Sequence, residues 1–235
     1  MSELQVNSIY LATEGEGTQI GTPQVFVRLQ GCTIGCLNCD SKDTWDFNSE
    51  LTQSIDEILH QVSSLSQQGK IKRVSITGGD PLHPSHDAGL KALVKSLKAH
   101  RYQINLEAAG TRISDELFDA LDYISFDYKT PSTGIVTKLS LIERMSRQFP
   151  GKFQVKAVIE NEADYRYVLD AYKKLEALGT DLSFPWCLTP AYNLEEEFPK
   201  ERFMSLFKWN IEDGYQFRVI GQQHKWVFGP DQKQV

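Results

Sequence analysis

Apolar positions along the chain follow two rhythms that take turns. Val25 to Leu29 is a short strand pattern flanked by Pro23 and Gly31. Residues 54–66 then place Ile55, Ile58, Leu59, Val62 and Leu65 on one helical stripe. Ser54 and Glu57 stand at capping-box spacing at its start, and Gly69 closes it. Val74 to Ile76 is the next strand, and Leu90, Leu93, Val94 and Leu97 mark the next helix. Gln103 to Ala108 predicts a strand, with Ser114 capping a short helix through Leu121. Tyr123 to Tyr128 predicts another, followed by a loop around Pro131 and Gly134 and a helix near 138–147. Phe153 to Ile159 precedes a helix striped by Tyr165, Val168, Leu169, Tyr172 and Leu175. Leu182 to Leu188 predicts a sixth strand, with Asn193 as cap of the helix after it.

About six β–α units in alternation predict a parallel sheet with crossover helices. Repeated right-handed crossovers curl such a sheet into a partial or complete (β/α)6 barrel of the TIM type. No repeat or linker-like stretch interrupts residues 1–235, which predicts a single domain. Sites in these folds lie at the carboxyl ends of strands. The unusual residues stand at those ends: Cys32, Thr77 to Asp80, Glu107, Asp127 to Lys129, and Thr189 with Pro190.

Charge and composition narrow the partners. The formal charge is −6, from 25 Lys and Arg against 31 Asp and Glu, which speaks against a phosphate backbone as ligand. No apolar run approaches the roughly 20 residues of a membrane span. The leading residues lack a basic segment followed by an apolar one, so a cytoplasmic location is expected. Three of the four cysteines fall within residues 32–39, which is metal spacing rather than a disulfide framework and suits a reducing compartment.

The spacing Cys32, Cys36, Cys39 is C-x3-C-x2-C on a loop just after a strand. Such a loop can set three thiolates on one face of a [4Fe–4S] cubane and leave the fourth iron without a protein ligand. An open iron site can chelate a substrate's amino and carboxylate groups, as an open zinc position does. A structural zinc site would instead need a fourth ligand from Cys187 or a histidine, and neither stands in a paired knuckle. Cys187 lies in an apolar strand and is expected to be a buried free thiol. His60, His83, His86 and His100 are expected on helix or loop surfaces.

This motif after a first strand resembles the radical S-adenosylmethionine superfamily, whose second strand ends in a Gly-Gly-Glu-type segment that binds the cofactor's methionine amino group. Gly78, Gly79 and Asp80 match that segment, with the glycines allowing close backbone approach and Asp80 supplying the carboxylate. More specific are Thr13-Glu-Gly-Glu-Gly17, Phe26 to Cys32, Cys39-Asp-Ser-Lys-Asp-Thr-Trp-Asp46, Glu107 with Gly110 and Thr111, and Gln223 to Trp226. Over nearly the whole chain these resemble the 7-carboxy-7-deazaguanine synthase family.

The resemblance implies that 6-carboxy-5,6,7,8-tetrahydropterin is converted to 7-carboxy-7-deazaguanine with loss of ammonia, using S-adenosylmethionine, the cluster and Mg²⁺. It implies S-adenosylmethionine contacts at Asn38, Asp40, Gly78, Gly79, Asp80, Asp127, Tyr128, Lys129, Thr189, Pro190, Ala191 and Tyr192. Substrate contacts are implied at Thr13, Glu14, Gly15, Arg28, Thr77, Glu107 and His224, and Mg²⁺ at Ser41. The guanidinium fork of Arg28 suits a carboxylate, or alternatively a barrel ion pair. A flavodoxin- or ferredoxin-type electron donor and a homodimer are further family expectations. Two other readings stay open: a glycyl-radical-enzyme activating protein, and a zinc- or cluster-carrying binding module.

Cys32→Ala, Cys36→Ala and Cys39→Ala are each expected to abolish cleavage of S-adenosylmethionine, whereas Cys187→Ala spares it. Iron content and 5′-deoxyadenosine yield of the four variants check this, and full activity in any of the first three refutes the cluster assignment.

Overall fold

A computed structural model describes residues 2–235. In chain order it begins with β1 (Glu3–Thr13), β2 (Pro23–Leu29), β3 (Thr52–Ser54), α1 (Ile55–Leu65), β4 (Arg73–Gly78) and α2 (Asp87–Ala99). β5 (Gln103–Ala108), α3 (Asp115–Ala120), β6 (Tyr123–Asp127), α4 (Leu139–Gln148), β7 (Phe153–Ile159) and α5 (Glu162–Ala177) follow. β8 (Trp186–Pro190), α6 (Lys200–Glu212), β9 (Arg218–Val219) and α7 (Gln223–Phe228) complete the chain. None of the described helices is long and apolar enough to cross a membrane.

The strands form one sheet of order β3-β1-β2-β4-β5-β6-β7-β8-β9. From β2 to β9 every pairing is parallel. Among the described residues no pairing joins the two edges, so the barrel is partial. One expectation needs correction: the sheet is not wholly parallel. β1 runs antiparallel to β2, and β3 antiparallel to β1. The reason is local. Residues 14–22 turn back on themselves, with Glu14 N–H to Thr22 O at 2.8 Å and Gly21 N–H to Glu14 O at 2.7 Å, so a hairpin precedes the first βα unit.

The capping box forms as the spacing predicts: Glu57 N–H donates to Ser54 Oγ at 3.3 Å, and Ser54 N–H to Glu57 Oε2 at 2.7 Å. Ser114 occupies the cap position of α3, but its hydroxyl makes no capping bond. β8 starts at Trp186, not Leu182, because Asp181 accepts from Ser183 N–H in a turn and Pro185 has no N–H for the ladder. Asn193 does not cap α6. The cap position is Pro199, and Asn193 N–H instead donates to Glu196 Oε2 at 3.0 Å in the loop between. His86 is buried rather than exposed, its ring nitrogens 2.9 Å from Asp80 O and 3.0 Å from Gln30 O.

Alternation along the strands separates two faces. Val25, Val27 and Leu29, Val74 and Ile76, Ile104 and Leu106, Ile124 and Phe126, and Val155 and Ala157 are buried in the main apolar core. The intervening positions form a polar inner face: Ser75 accepts from Asn105 at 2.9 Å, and Ser125 from Gln154 at 2.9 Å. Thr18 N–H donates to Gln154 Oε1 at 2.7 Å near the strand starts. A buried polar layer of this kind is tolerated only because its members bond one another.

Where β2 and β4 end, the backbones almost touch. A Cβ on Gly78, whose φ is +129°, would lie 2.3 Å from both Leu29 N and Leu29 O. A Cβ on Gly79 would meet Gly31 O at 2.4 Å. Gly78→Ala should therefore cost about 3 kcal/mol of stability, combining strain and clash. Gly179→Ala, at φ +72° with open space around it, should cost about 1 kcal/mol. Denaturant unfolding of both variants checks the contrast.

Candidate active site

The carboxyl ends of β2 and β4 to β8 surround a cavity of about 570 Å³. The loop after β2 enters it under tight control. Gly31 N–H donates to Thr44 O at 2.8 Å and Cys32 N–H to Trp45 O at 2.9 Å, while Leu37 N–H reaches Thr133 O at 2.9 Å. Gly35, with φ +75° and nothing within 4 Å of a Cβ there, turns the chain between the first two cysteines.

Cys32, Cys36 and Cys39 are half-buried, and all three line the cavity. Ile34 N–H points at Cys32 Sγ at 3.4 Å. Burial pushes the Cys36 thiol up, and the Lys129 ammonium pulls against that shift. Among the described residues no three His, Cys, Asp or Glu side chains gather closely enough to hold one ion. Three thiols facing one cavity without a fourth such ligand fit a cubane with an open iron better than a tetrahedral zinc site. Cys187 is buried, as expected, with Sγ 3.5 Å from Gln154 Oε1.

Around the cysteines the cavity collects Asn38, Asp40, Ser41, Gly78, Gly79, Asp127, Tyr128, Lys129, Thr189, Ala191 and Tyr192. Thr189 Oγ1 is buried without a partner, an acceptor-donor left for a ligand. Lys129 pairs with Asp127 at 2.7 Å. Two expected residues are not brought to the cavity: Asp80 and Pro190 do not line it. Asp80 is fully buried, its Oδ1 accepting from Leu82 N–H at 3.1 Å and its Oδ2 lying 3.7 Å from Arg112. Its Oδ1 braces the turn after β4, while Oδ2 is buried without a hydrogen-bond partner. Gly78 and Gly79 are likewise explained by the approach of Leu29 and Gly31, since Gly79 N–H donates to Leu29 O at 3.1 Å.

Thr13, Glu14, Gly15, Arg28, Thr77, Glu107 and His224 line the same cavity. Arg28 donates to Tyr10 OH at 2.9 Å and to Ser41 Oγ at 3.3 Å. Among the described residues no carboxylate lies within salt-bridge distance of it, so its charge is available to a ligand. Ser41 Oγ in turn donates to Asp40 Oδ1 at 3.1 Å. A Cβ on Gly15 would lie 2.0 Å from His224 Nδ1, so the glycine admits that ring.

Four of the cavity residues outside the sequence-based site assignments build its charged floor and rim: Glu16, Lys156, Gln222 and Lys225. Lys156 Nζ donates to Glu107 Oε2 at 2.6 Å and Glu16 Oε2 at 3.0 Å. Gln222 donates to Glu16 Oε1 at 2.6 Å, Asn105 to Glu107 Oε1 at 2.8 Å, and Gln24 to Glu14 Oε2 at 2.7 Å. Lys225 holds Asp40 Oδ2 and Tyr192 O, each at 3.0 Å. A signal for Lys156 did exist: it is the one charged residue of β7, a largely apolar strand where a charge needs a partner.

The charges respond to one another. Burial works against the Lys156 ammonium, but Glu107 and Glu16 hold its pKa well above the usual range. Burial likewise opposes the Glu16 charge, yet Lys156 keeps that carboxyl well below the usual range. Glu14 goes the other way: burial, then the Glu107 charge, pushes it up to about 7.

The family model described as "4Fe-4S single cluster domain" matches residues 13–122. A 7-carboxy-7-deazaguanine synthase of Methanopyrus kandleri is 30% identical over 252 aligned positions, covering 95% of this chain and 93% of the relative. One of Pyrobaculum aerophilum is 32% identical over 167, covering 71% of this chain and 73% of the relative. The chain belongs to the 7-carboxy-7-deazaguanine synthase family. The crystal structure of QueE from Escherichia coli shares the fold, with a TM-score of 0.67 at 22% identity over 94% of this chain and 95% of that one. For this 7-carboxy-7-deazaguanine synthase family member the fold expectation therefore holds, with the antiparallel hairpin added.

The raised Glu14 pKa has a stability signature. Between the unfolded value near 4.5 and about 7, the folded carboxyl holds its proton while the unfolded one has lost it. Its contribution is thus fully present below about 4.5 and is lost as pH rises through 7. Burial lowers the His224 pKa, which gives the opposite slope in part of the same window, so the comparison must isolate Glu14. The stability of wild type minus that of Glu14→Gln should fall from pH 5 to pH 7.5, measured by denaturant titration. A flat difference refutes the shift.

Proposed function

We propose that this chain is a radical lyase that converts 6-carboxy-5,6,7,8-tetrahydropterin to 7-carboxy-7-deazaguanine with loss of ammonia. The observation that carries the reading is one cavity holding three thiols at one side, an Arg28 without a carboxylate partner, and a carboxylate-rich floor. In this reading Cys32, Cys36 and Cys39 hold the [4Fe–4S] cluster, and residues 1–235 act as one domain. When bound, the cluster and S-adenosylmethionine supply reductive C–S cleavage and hydrogen-atom abstraction.

The chain's own residues bind, orient and exclude water. Thr189 Oγ1, Asn38, Asp40, Asp127, Tyr128, Lys129, Ala191 and Tyr192 surround S-adenosylmethionine. Gly78 and Gly79 contribute by shape, since their amide-side space is occupied by β2. Arg28, steadied by Tyr10 OH, pairs with the substrate carboxylate. Glu14 and Glu107 accept from the aminopyrimidine edge, Thr13, Gly15 and Thr77 shape the pocket, and His224 closes it.

Mg²⁺ at Ser41 fits in part. Ser41 Oγ and Asp40 Oδ1 are adjacent hard oxygens, but Arg28 and Lys225 flank them with positive charge. Metal binding is therefore weak until substrate oxygens and its negative charge join. A flavodoxin- or ferredoxin-type donor supplies electrons in the cytoplasm. A homodimer is supported by the exposed Phe198, Met204, Phe207, Trp226, Val227 and Phe228.

An anaerobic assay of the reconstituted protein with carboxytetrahydropterin, following the deazaguanine chromophore, tests the reading. Several turnovers per S-adenosylmethionine are expected, with little net 5′-deoxyadenosine. One equivalent consumed per product favours an activating-enzyme chemistry instead. Arg28→Ala should weaken substrate binding roughly ten- to hundredfold by removing a charge-assisted partner. Ser41→Ala should remove Mg²⁺ stimulation, and both variants should keep their iron.

A further inference from the structure

Lys156 does more than neutralise its neighbours. An ammonium has three N–H donors. Two go to Glu107 Oε2 at 2.6 Å and Glu16 Oε2 at 3.0 Å. The third has no protein acceptor among the described residues, and the side chain lines the cavity. The residue is nearly buried, at 9% exposure, so water alone is a poor partner for that donor. Held from two sides, Nζ cannot swing to another acceptor without breaking an ion pair.

The carboxylates beside it keep acceptor capacity. Glu107 receives one bond at each oxygen, from Asn105 and Lys156, and each carboxylate oxygen has two lone pairs. The floor therefore presents acceptors on Glu107 and Glu14 next to one donor on Lys156. A pterin's pyrimidine edge runs 2-amino, N3–H, 4-oxo: two donors, then an acceptor. The two patterns are complementary.

We infer that Lys156 is a specificity-determining substrate contact that donates its third N–H to the 4-oxo oxygen of the pterin, beside carboxylates that accept from the 2-amino and N3–H groups. The assignment rests on the pterin reading of the cavity. It also says which rings are refused. A 4-amino ring would set N–H against N–H and, because its N3 carries a lone pair in place of a proton, would also set N3 against a carboxylate, and a site built around such hydrogen bonds rejects the analogue strongly.

The test uses the reconstituted holoenzyme with S-adenosylmethionine, titrated calorimetrically with 6-carboxypterin and with 2,4-diamino-6-carboxypteridine. Wild type should prefer the 4-oxo compound by at least about thirtyfold. Lys156→Gln, whose amide can accept as well as donate, should narrow the preference by about tenfold, leaving only the part set by N3 against the carboxylates. Lys156→Arg should keep the preference, and thermal melting shows that each variant is folded. A wild type that binds neither compound overturns the pterin reading and this assignment with it. Binding without preference, or a preference that is unchanged in folded Lys156→Gln, overturns the role of Lys156 alone. The wild-type comparison needs no variant, so a misfolded Lys156→Gln still leaves a result that can overturn the assignment.

Discussion

Charge placed on the inside of a sheet has to be partnered, and here the partnering ties distant parts of the chain together. Lys156 sits on β7, Glu107 at the end of β5, and Glu16 in the turn after β1. Glu16 also accepts from Gln222, just before α7, while Lys225 on α7 donates to Asp40, next to Cys39. One lysine thus links the hairpin, the middle of the sheet and, through Gln222, the final helix. Removing one member of a buried pair of this kind costs about 3–5 kcal/mol, because the survivor is left charged and dry. The site and the fold share these bonds, so neither is set independently of the other.

The cost of that arrangement is visible in the inner face. Ordinary parallel strands are buried on both faces and read as continuous apolar runs. Here Ser75, Asn105, Ser125 and Gln154 replace apolar residues on one side and bond in pairs. They lead stepwise from the strand starts to the charged floor, so the polar cavity does not end abruptly against hydrocarbon. The interior stays satisfied even though it is not oily.

How much of this was legible in the sequence depends on the kind of signal. The βα rhythm was, because each strand and each helix carries its own period; Gln103–Ala108 and Phe153–Ile159 match their expected bounds. β1 was not, since its alternation at Leu4 and Val6 precedes the first βα unit and the Gly-rich turn after it drew attention as a motif. Cap positions failed where a tertiary bond won: Asn193 is drawn to Glu196, and Ser114 caps nothing. Three thiols on one loop are local information, so their convergence on a cavity could be read from spacing. Lys156, Gln222 and Lys225 act through partners 33 to 206 positions away, and no local pattern encodes such a meeting. Asp80 carries two signals at once: its place in a motif suggests a ligand contact, and its buried Oδ1 also braces the turn after β4.

The sheet's open edges carry a consequence for behaviour in concentrated solution. A long exposed edge strand offers unpaired N–H and C=O groups to another copy and invites runaway association. At one side β9 has 2 residues, too few to template a ladder. At the other, β3 has 3 residues and pairs only with Glu3 to Gln5. Beyond it the β1 register shifts between Val6 and Ser8, a bulge that turns the rest of that strand away from a flat ladder. An incomplete barrel leaves the cavity roomy for its ligands, and these blunted margins let it stay incomplete without becoming a seed for fibrils.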